Sequence, residues 1–267
     1  MAVISILIPT YKPGDYIFNC FQSIEDQNIS SDLYKVYICL NGPKENYEEY
    51  ILKDLLKRKF TYNFYYISEL GVSAARNFLI EKSQEDFLVF VDDDDILSPN
   101  YLRQLLEISS EDTMGISYIL NFKYNISNFS ENYIGKSFDK IIDQTPSKFK
   151  TRKYFSSPWG KMISRTIIAN YRFDTNLSKG EDSLFMALIS KNIKLIRKTS
   201  KSACYYVNER NGSVTRRHMN ISDEYSMLNY LMLKYISLLF NSNYDKKFTI
   251  TRIIATFLKY FKVLKGL

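Results

Sequence analysis

Four consecutive aspartates, Asp92–Asp95, follow directly on the apolar run Phe87–Val91. Carboxylates this close repel one another, and a fold gains nothing from crowding them unless a cation or hydrogen-bond donors sit among them. The chemistry that uses such a group is a hard divalent cation. One or two carboxylates hold it and substrate phosphate oxygens complete its shell, as Mg2+ is usually bound. The plain alternative is that Asp95 caps the turn before Ser98-Pro99 and the other acids are solvated. A second acidic pair, Glu181 and Asp182 in "SKGEDSLF", reads equally well as acids favouring a helix dipole or as a carboxylate that takes a proton. The single histidine, His218, follows "RNGSVTRR". A lone histidine is commonly a surface residue. The sharper reading takes Ser213, Arg216, Arg217 and His218 as a loop that closes over a diphosphate, with His218 as an extra metal ligand.

Alternating elements must position these residues. "VISILIPTY" is a near-continuous apolar run, as expected of a strand buried on both faces of a parallel sheet. Ile17, Phe18, Phe21 and Ile24 then recur at helical spacing, and "YKVYICL" gives a second strand ended by "NGP". A charged amphipathic helix over 44–58, a strand "YNFYYIS", a helix entered through Gly71 and a fourth strand "DFLVFV" follow. Ser98 and Pro99 read as N-cap and first residue of the next helix. This β-α-β-α order predicts a mostly parallel sheet with helices on both faces. The acidic run then falls at the carboxyl end of a central strand, where open α/β sheets bind ligands. Residues 112–150 show little periodicity and read as a connection between two halves of the chain.

The composition sets limits. The chain has 267 residues, 45% hydrophobic and 24% charged, which is ordinary for a globular protein. No apolar run approaches the length of a membrane-spanning helix. The amino terminus reads as a first strand and not a signal peptide. Cys20, Cys39 and Cys204 are widely spaced, without metal-ligand spacing, and suit reduced thiols in a cytosol. The net charge of +7 is unevenly spread: from Lys246 onward there are six basic side chains and no acid. Acids line the presumed cleft and the positive charge gathers at the tail, so nucleic acid is not an expected partner. There is no Gly-rich phosphate loop or dinucleotide fingerprint.

Five stretches, in order, carry a family resemblance: "ISILIPTYKPGDYIFNCFQSI", "ELGVSAARN", "FLVFVDDDDILSPNYL", "PWGKMISRTII" and "KGEDSLFMALI". The chain resembles the family 2 glycosyltransferases of the GT-A fold, which use nucleotide sugars. The resemblance covers about the first 215 residues. It implies a GT-A-type, Rossmann-like sheet flanked by helices and followed by a helical C-terminal extension. The expected division is a nucleotide-sugar-binding half over 1–110, an acceptor-binding and catalytic half over 111–218, and the extension over 219–267.

The resemblance also implies roles. Pro9, Thr10 and Tyr11 fall where the family's base and ribose lie, Arg76 near the nucleotide, and Asp92 with Asp93 on the donor side. Asp94 is the expected ligand of Mn2+ or Mg2+, joined by His218. Asp182 matches the catalytic base, beside Glu181, and Trp159 and Lys161 match the acceptor-side motif. In "CLNGP", Asn41 stands where many relatives carry an acid that reads the base. Asn both donates and accepts, so a UDP-sugar stays the first choice of donor while thymidine and guanosine diphosphate sugars stay open.

The expected reaction is inverting transfer to a hydroxyl of a growing bacterial surface or protein-linked glycan. It is expected in the cytoplasm, at the inner face of the cell membrane if the acceptor is lipid-linked. Two other readings stand: a nucleotidyl- or phosphotransferase, and a non-catalytic glycosyltransferase-like partner subunit. A phosphoaspartyl enzyme would want its acid after the first strand, which here ends in "PTYK". In the tail, Ile250, Ile253, Ile254, Phe257, Leu258, Phe261 and Leu264 form one helical stripe near Lys259, Lys262 and Lys265. The stripe suits an anionic membrane surface, the main domain, or a second copy of the chain in a homo-oligomer. The metal reading requires the clustered aspartates to line a cavity and to be free of ion pairs with lysine or arginine.

Overall fold

The computed structural model describes residues 2–123, 125–210 and 220–264. The first part alternates as expected: β1 (Ile4–Thr10), α1 (Tyr16–Glu25), β2 (Tyr34–Asn41), α2 (Tyr47–Leu55), β3 (Tyr62–Ile67), α3 (Val72–Lys82) and β4 (Phe87–Phe90). Then come β5 (Ile96–Leu97), α4 (Tyr101–Ile108), β6 (Thr113–Ile116), β7 (Tyr118–Lys123), β8 (Asn125–Glu131) and β9 (Gln144–Thr145). The order closes with β10 (Lys161–Ser164), α5 (Arg165–Ile168), α6 (Glu181–Ile189), β11 (Leu195–Lys198), β12 (Cys204–Asn208), α7 (Ile221–Phe240) and α8 (Lys246–Leu264).

β1 is buried along its whole length because both its faces are covered, which is why it reads as a continuous apolar run. It pairs in parallel with β2 and β4, and β2 with β3. Past β4 the sheet continues through an antiparallel β10 to give the order β3-β2-β1-β4-β10-β6-β11-β9. A smaller sheet, β5-β12-β7-β8, stands beside it. Its β5–β12 pairing, with Tyr206 opposite Ile96, brings residues after 204 to the strand that directly follows the acidic run.

Two expectations are corrected and a third is narrowed. Residues 112–150 contain β6, β7, β8 and β9; β6, β7 and β9 pair with β10, β11 and β12 far along the chain, so tertiary pairing and not local pattern makes them strands, while β8 pairs only with β7 beside it. Ser98 is not a helix cap: its hydroxyl donates to Ser202 O and accepts from Cys204 N, and α4 begins at Tyr101. Of the three surfaces the apolar stripe of α8 could meet, the main domain takes little of it. The inner side of α8 is Phe248, Thr249 and Thr256, whereas Ile250, Ile254, Phe257, Leu258 and Phe261 are 44–56% exposed, and Ile253 is partly buried against the core.

The α7–α8 pair docks through that inner side. The Tyr235 and Ser183 hydroxyls bond at 2.8 Å, and Phe248 packs on Phe155 with ring centroids 4.8 Å apart. The three cysteines are buried thiols. No helix among the described residues is long and apolar enough to cross a membrane.

Candidate active site

The acidic run is a turn at the end of β4 and not a continued strand, closed by Asp95 N–H donating to Asp92 O at 3.1 Å. Each carboxylate has a different environment. Asp95 is buried and accepts from Asn208 N at 2.8 Å, so it pins the turn to the end of β12; it does not cap Ser98-Pro99. Asp93 is buried and accepts from the Thr10 hydroxyl at 2.5 Å, which ties the turn to the end of β1. Burial, with the Asp94 charge adding, pushes Asp93 up to about 7 against that hydrogen bond. Asp94 accepts from the Arg210 guanidinium, which itself lies 4.2 Å from the Tyr16 ring centroid. Burial and the Asp92 charge raise the pKa of Asp94. Asp92 keeps its side chain one-third exposed, and its N–H donates to the Tyr205 hydroxyl at 3.1 Å.

Arg76 joins this turn to the second acidic pair. It sits on the inner face of α3, 3% exposed, with Nη2 2.8 Å from Asp92 Oδ1 and Nη1 2.6 Å from Asp182 Oδ1. Its guanidinium lies over the Phe173 ring at 5.3 Å, and Phe173 stacks on Phe185 at 3.9 Å. Burial alone would lower the arginine's pKa; the carboxylates of Asp182, Asp92 and Glu181 more than offset it. The next residue, Asn77, donates to Phe173 O and accepts from Phe173 N, so one turn of helix holds both sides of the cleft.

Asp182 is the second residue of α6, where a carboxylate suits the positive end of the helix dipole. Gly180 before it has φ +87°, and a Cβ there would stand 2.7 Å from Leu231 Cδ1 of α7. Only glycine allows that turn and that approach together. Burial pushes Asp182 up to about 7; Glu181 and Asp92 add to the push, while Arg76 and Lys161 oppose it. A carboxyl poised near neutral pH is suited to accept a proton.

The requirement that the aspartates be free of arginine is not met. Arg76 holds Asp92 and Asp182, and Arg210 holds Asp94. The physical reason is that half-buried carboxylates need a compensating charge within hydrogen-bond reach. Among the described residues no group of three His, Cys, Asp or Glu side chains is arranged to hold a metal alone. A carboxylate that already binds a cation, here guanidinium, has the donor chemistry for a hard metal whose remaining ligands are phosphate oxygens. Asp94 fits that limited role provided Arg210 yields. Ser213, Arg216, Arg217 and His218 lie outside the described residues.

Two further expectations do not fit the geometry. With its amide oriented to satisfy both ends, Asn41 donates to Thr10 O at 2.8 Å and accepts from Gly71 N at 3.0 Å; it is a buried strut between β1, β2 and α3 rather than a reader of bases. Lys161 is fully buried and donates to Ser157 O at 2.7 Å and Trp159 O at 2.5 Å, so its ammonium braces the loop Ser157–Trp159 and is not free to meet a ligand. Burial pushes this lysine down to about 7, against the Asp182 charge. Trp159 remains half-buried, stacked on Tyr205 at 5.1 Å. Pro9 is buried in β1, and the half-buried Tyr11 flanks Gly42 opposite Leu70.

A profile described as "Glycosyl transferase family 2" matches residues 5–173. The chain belongs to glycosyl transferase family 2. The poly(ribitol-phosphate) beta-glucosyltransferase of Bacillus spizizenii is 23% identical over 225 residues, covering 82% of this chain and 34% of that protein. This family 2 chain spans about half or less of the length of most of the curated relatives it matches. Among solved structures, Staphylococcus aureus TarS with UDP-GlcNAc superimposes with a TM-score of 0.78 at 17% identity, covering 98% of this chain and 73% of that one. A mannosyltransferase of Pyrobaculum calidifontis, in complex with GDP-Man and Mn2+, superimposes at 0.62 with 9% identity, covering 97% and 69%. The fold is therefore that of GT-A glycosyltransferases.

Sequence reasoning missed three members of this family 2 site. Arg210 and Tyr205 belong to β12 or its end, and nothing local links them to residue 92; only the β5–β12 pairing does. Phe173 could have been suspected only from the aromatic residues before "SKGED".

Proposed function

We propose that the chain transfers a sugar from a nucleoside diphosphate sugar, most simply a UDP-sugar, to a hydroxyl of a bacterial surface glycan, with inversion. The observation that carries this reading is the Arg76 bridge, which sets the acid at the end of β4 and the acid at the start of α6 within the span of one guanidinium. Asp182 takes the proton from the acceptor hydroxyl, with Glu181 beside it. Its carboxylate needs a pKa high enough to accept that proton and a held position, and burial and Arg76 supply these. Asp92 lies toward the donor, and Tyr11 and Pro9 border the base and ribose. Thr10 and Asp93 hold the floor by satisfying each other. Trp159 forms the acceptor wall that Lys161 braces.

Mn2+ or Mg2+, held by Asp94 in exchange for Arg210, would supply neutralisation of charge on the leaving diphosphate. The Mn2+ in the mannosyltransferase complex supports this metal, and the UDP-GlcNAc of the TarS complex supports the donor. The ribitol-phosphate polymer in the B. spizizenii relative's name makes a phosphodiester-bearing chain the first acceptor to try. Residues 1–110 serve the donor and 111–218 the acceptor, while the outward stripe of α8 touches the inner face of the membrane.

A panel of sugar nucleotides, titrated with and without Mn2+, tests the donor and metal. Asp182→Asn should keep nucleotide affinity and lose transfer by about a hundredfold or more. Near-normal turnover would remove Asp182 as the base. A wild-type chain that binds nucleotide but transfers nothing would favour the non-catalytic partner reading, to which the arginine-paired aspartates lend support.

A further inference from the structure

A recess of about 450 Å³, none of whose lining residues belongs to the acidic turn, is lined by Lys136, Lys140, Lys150, Arg152 and Lys153 together with Phe149. No carboxylate is among its lining residues. Glu131 lies 3.5 Å from Lys136, both side chains exposed, and the neighbouring acids Asp139 and Asp143 lie toward Lys201 and Lys198 instead. Among the described residues no acid pairs with Lys140, Lys150, Arg152 or Lys153. Burial and the charges of Lys140, Arg152 and Lys136 push the Lys153 ammonium down, as expected of cations gathered without an anion to relieve them. Lys153 is held in place, donating to Tyr133 O at 3.2 Å with its ammonium 4.2 Å from the Tyr133 ring centroid.

Resting on the transfer reading above, we propose that this recess binds the phosphate groups of an anionic acceptor chain, a polymer of phosphodiester-linked polyol or sugar units. Three features support it. Phosphodiesters stay ionised across the physiological range, and an arginine beside several lysines suits their oxygens. The rings of Phe149 and Tyr133 each carry one of these cations over a face, Arg152 at 5.0 Å and Lys153 at 4.2 Å, and their remaining exposed surface suits the C–H groups of the repeating units. Arg152 and Lys153 also belong to the 3-10 turn Arg152–Ser156, which packs against α6 and runs on through Ser157 to Trp159. A chain lying in the recess is thereby led along the turn that borders the helix carrying Asp182. A concave site fits a chain threading through it better than it fits a flat lipid surface. The apolar face of α8 is the better match for lipid.

The test uses the full chain, a short synthetic ribitol-phosphate oligomer, an uncharged oligosaccharide of similar length, and phosphatidylglycerol vesicles. The charged oligomer should bind with an affinity that falls as salt rises, and the uncharged one should not. Lys140→Gln with Lys150→Gln should weaken oligomer binding about tenfold, raising KM with kcat retained. Thermal melting and UDP titration on the same variant report whether it is folded. Unchanged oligomer affinity in the variant overturns the proposal, and so does equal binding of the uncharged oligosaccharide. Loss of vesicle binding with oligomer affinity intact assigns the recess to lipid and likewise overturns it. If the oligomer binds through these lysines while no sugar nucleotide supports transfer, the transfer reading fails and the anion site stands.

Discussion

Replacing Arg76 by Gln should move the acid limb of the pH–rate profile upward. Asp182 must be deprotonated to act as a base, and a positive charge beside it favours that form. Its guanidinium contact is 2.6 Å from nitrogen to oxygen, which places the charge centres about 4 Å apart; at an effective dielectric near 20 the attraction is about 4 kcal/mol. At 1.36 kcal/mol per pKa unit, its loss raises Asp182 by up to about 3 units. The carboxyl sits at about 7 with Arg76 in place, so the limb should move toward about 10, and kcat/KM at pH 8 should fall by about a hundredfold. Breaking a buried pair also costs about 3–5 kcal/mol of stability, within the reserve of most domains. Arg76→Lys, which keeps a charge but cannot span both carboxylates, should shift the limb less. The assay is kcat/KM for sugar transfer from pH 6 to 10, with the melting temperature recorded for each variant. A limb that stays near 7 while the plateau falls would refute control of Asp182 by Arg76.

Gly180→Ala forces a β-carbon into a left-handed turn against Leu231 and should cost about 1–3 kcal/mol, read as a melting temperature lower by several degrees, with a fall in kcat as Asp182 is displaced. An unchanged melting temperature and kcat would remove that turn as a determinant of the site. Replacing Phe257 and Leu258 by Ser, on the outward side of α8, should leave the melting temperature unaltered and abolish sedimentation with anionic vesicles. Sedimentation that persists, or is missing from the parent chain, ends the membrane reading.

The sheet was legible because β1, β2 and β4 announce themselves as buried apolar runs separated by turn residues. Asp92 and Asp94 were legible for the same reason, since they follow β4, whereas Arg76 and Asp182 were legible only through the resemblance carried by "ELGVSAARN" and "KGEDSLFMALI". Their partners were not. Whether Arg76 faces a nucleotide or two carboxylates depends on how α6 approaches α3, and that is fixed by Phe173, Phe185 and Asn77 over long sequence distances. Arg210 reaches Asp94 only because a two-residue strand, too short to show a period, pairs with β12. Asn41 reads as the break after β2 and Lys161 carries no element signal, and a sequence does not reveal that a polar side chain will be consumed by backbone groups. The α8 stripe was seen and its direction was not, since periodicity identifies a face without saying what lies opposite.

Arg76 and Asn77 are consecutive, yet one grips Asp182 and the other the backbone of Phe173, so the walls of the cleft are riveted together at a single point. Walls fastened this way cannot swing apart like jaws without unpairing a buried charge. On the proposed transfer, a spent nucleotide would leave by movement of the segments around the rim, and mutations that quicken turnover should map to those segments while the rivet stays untouched.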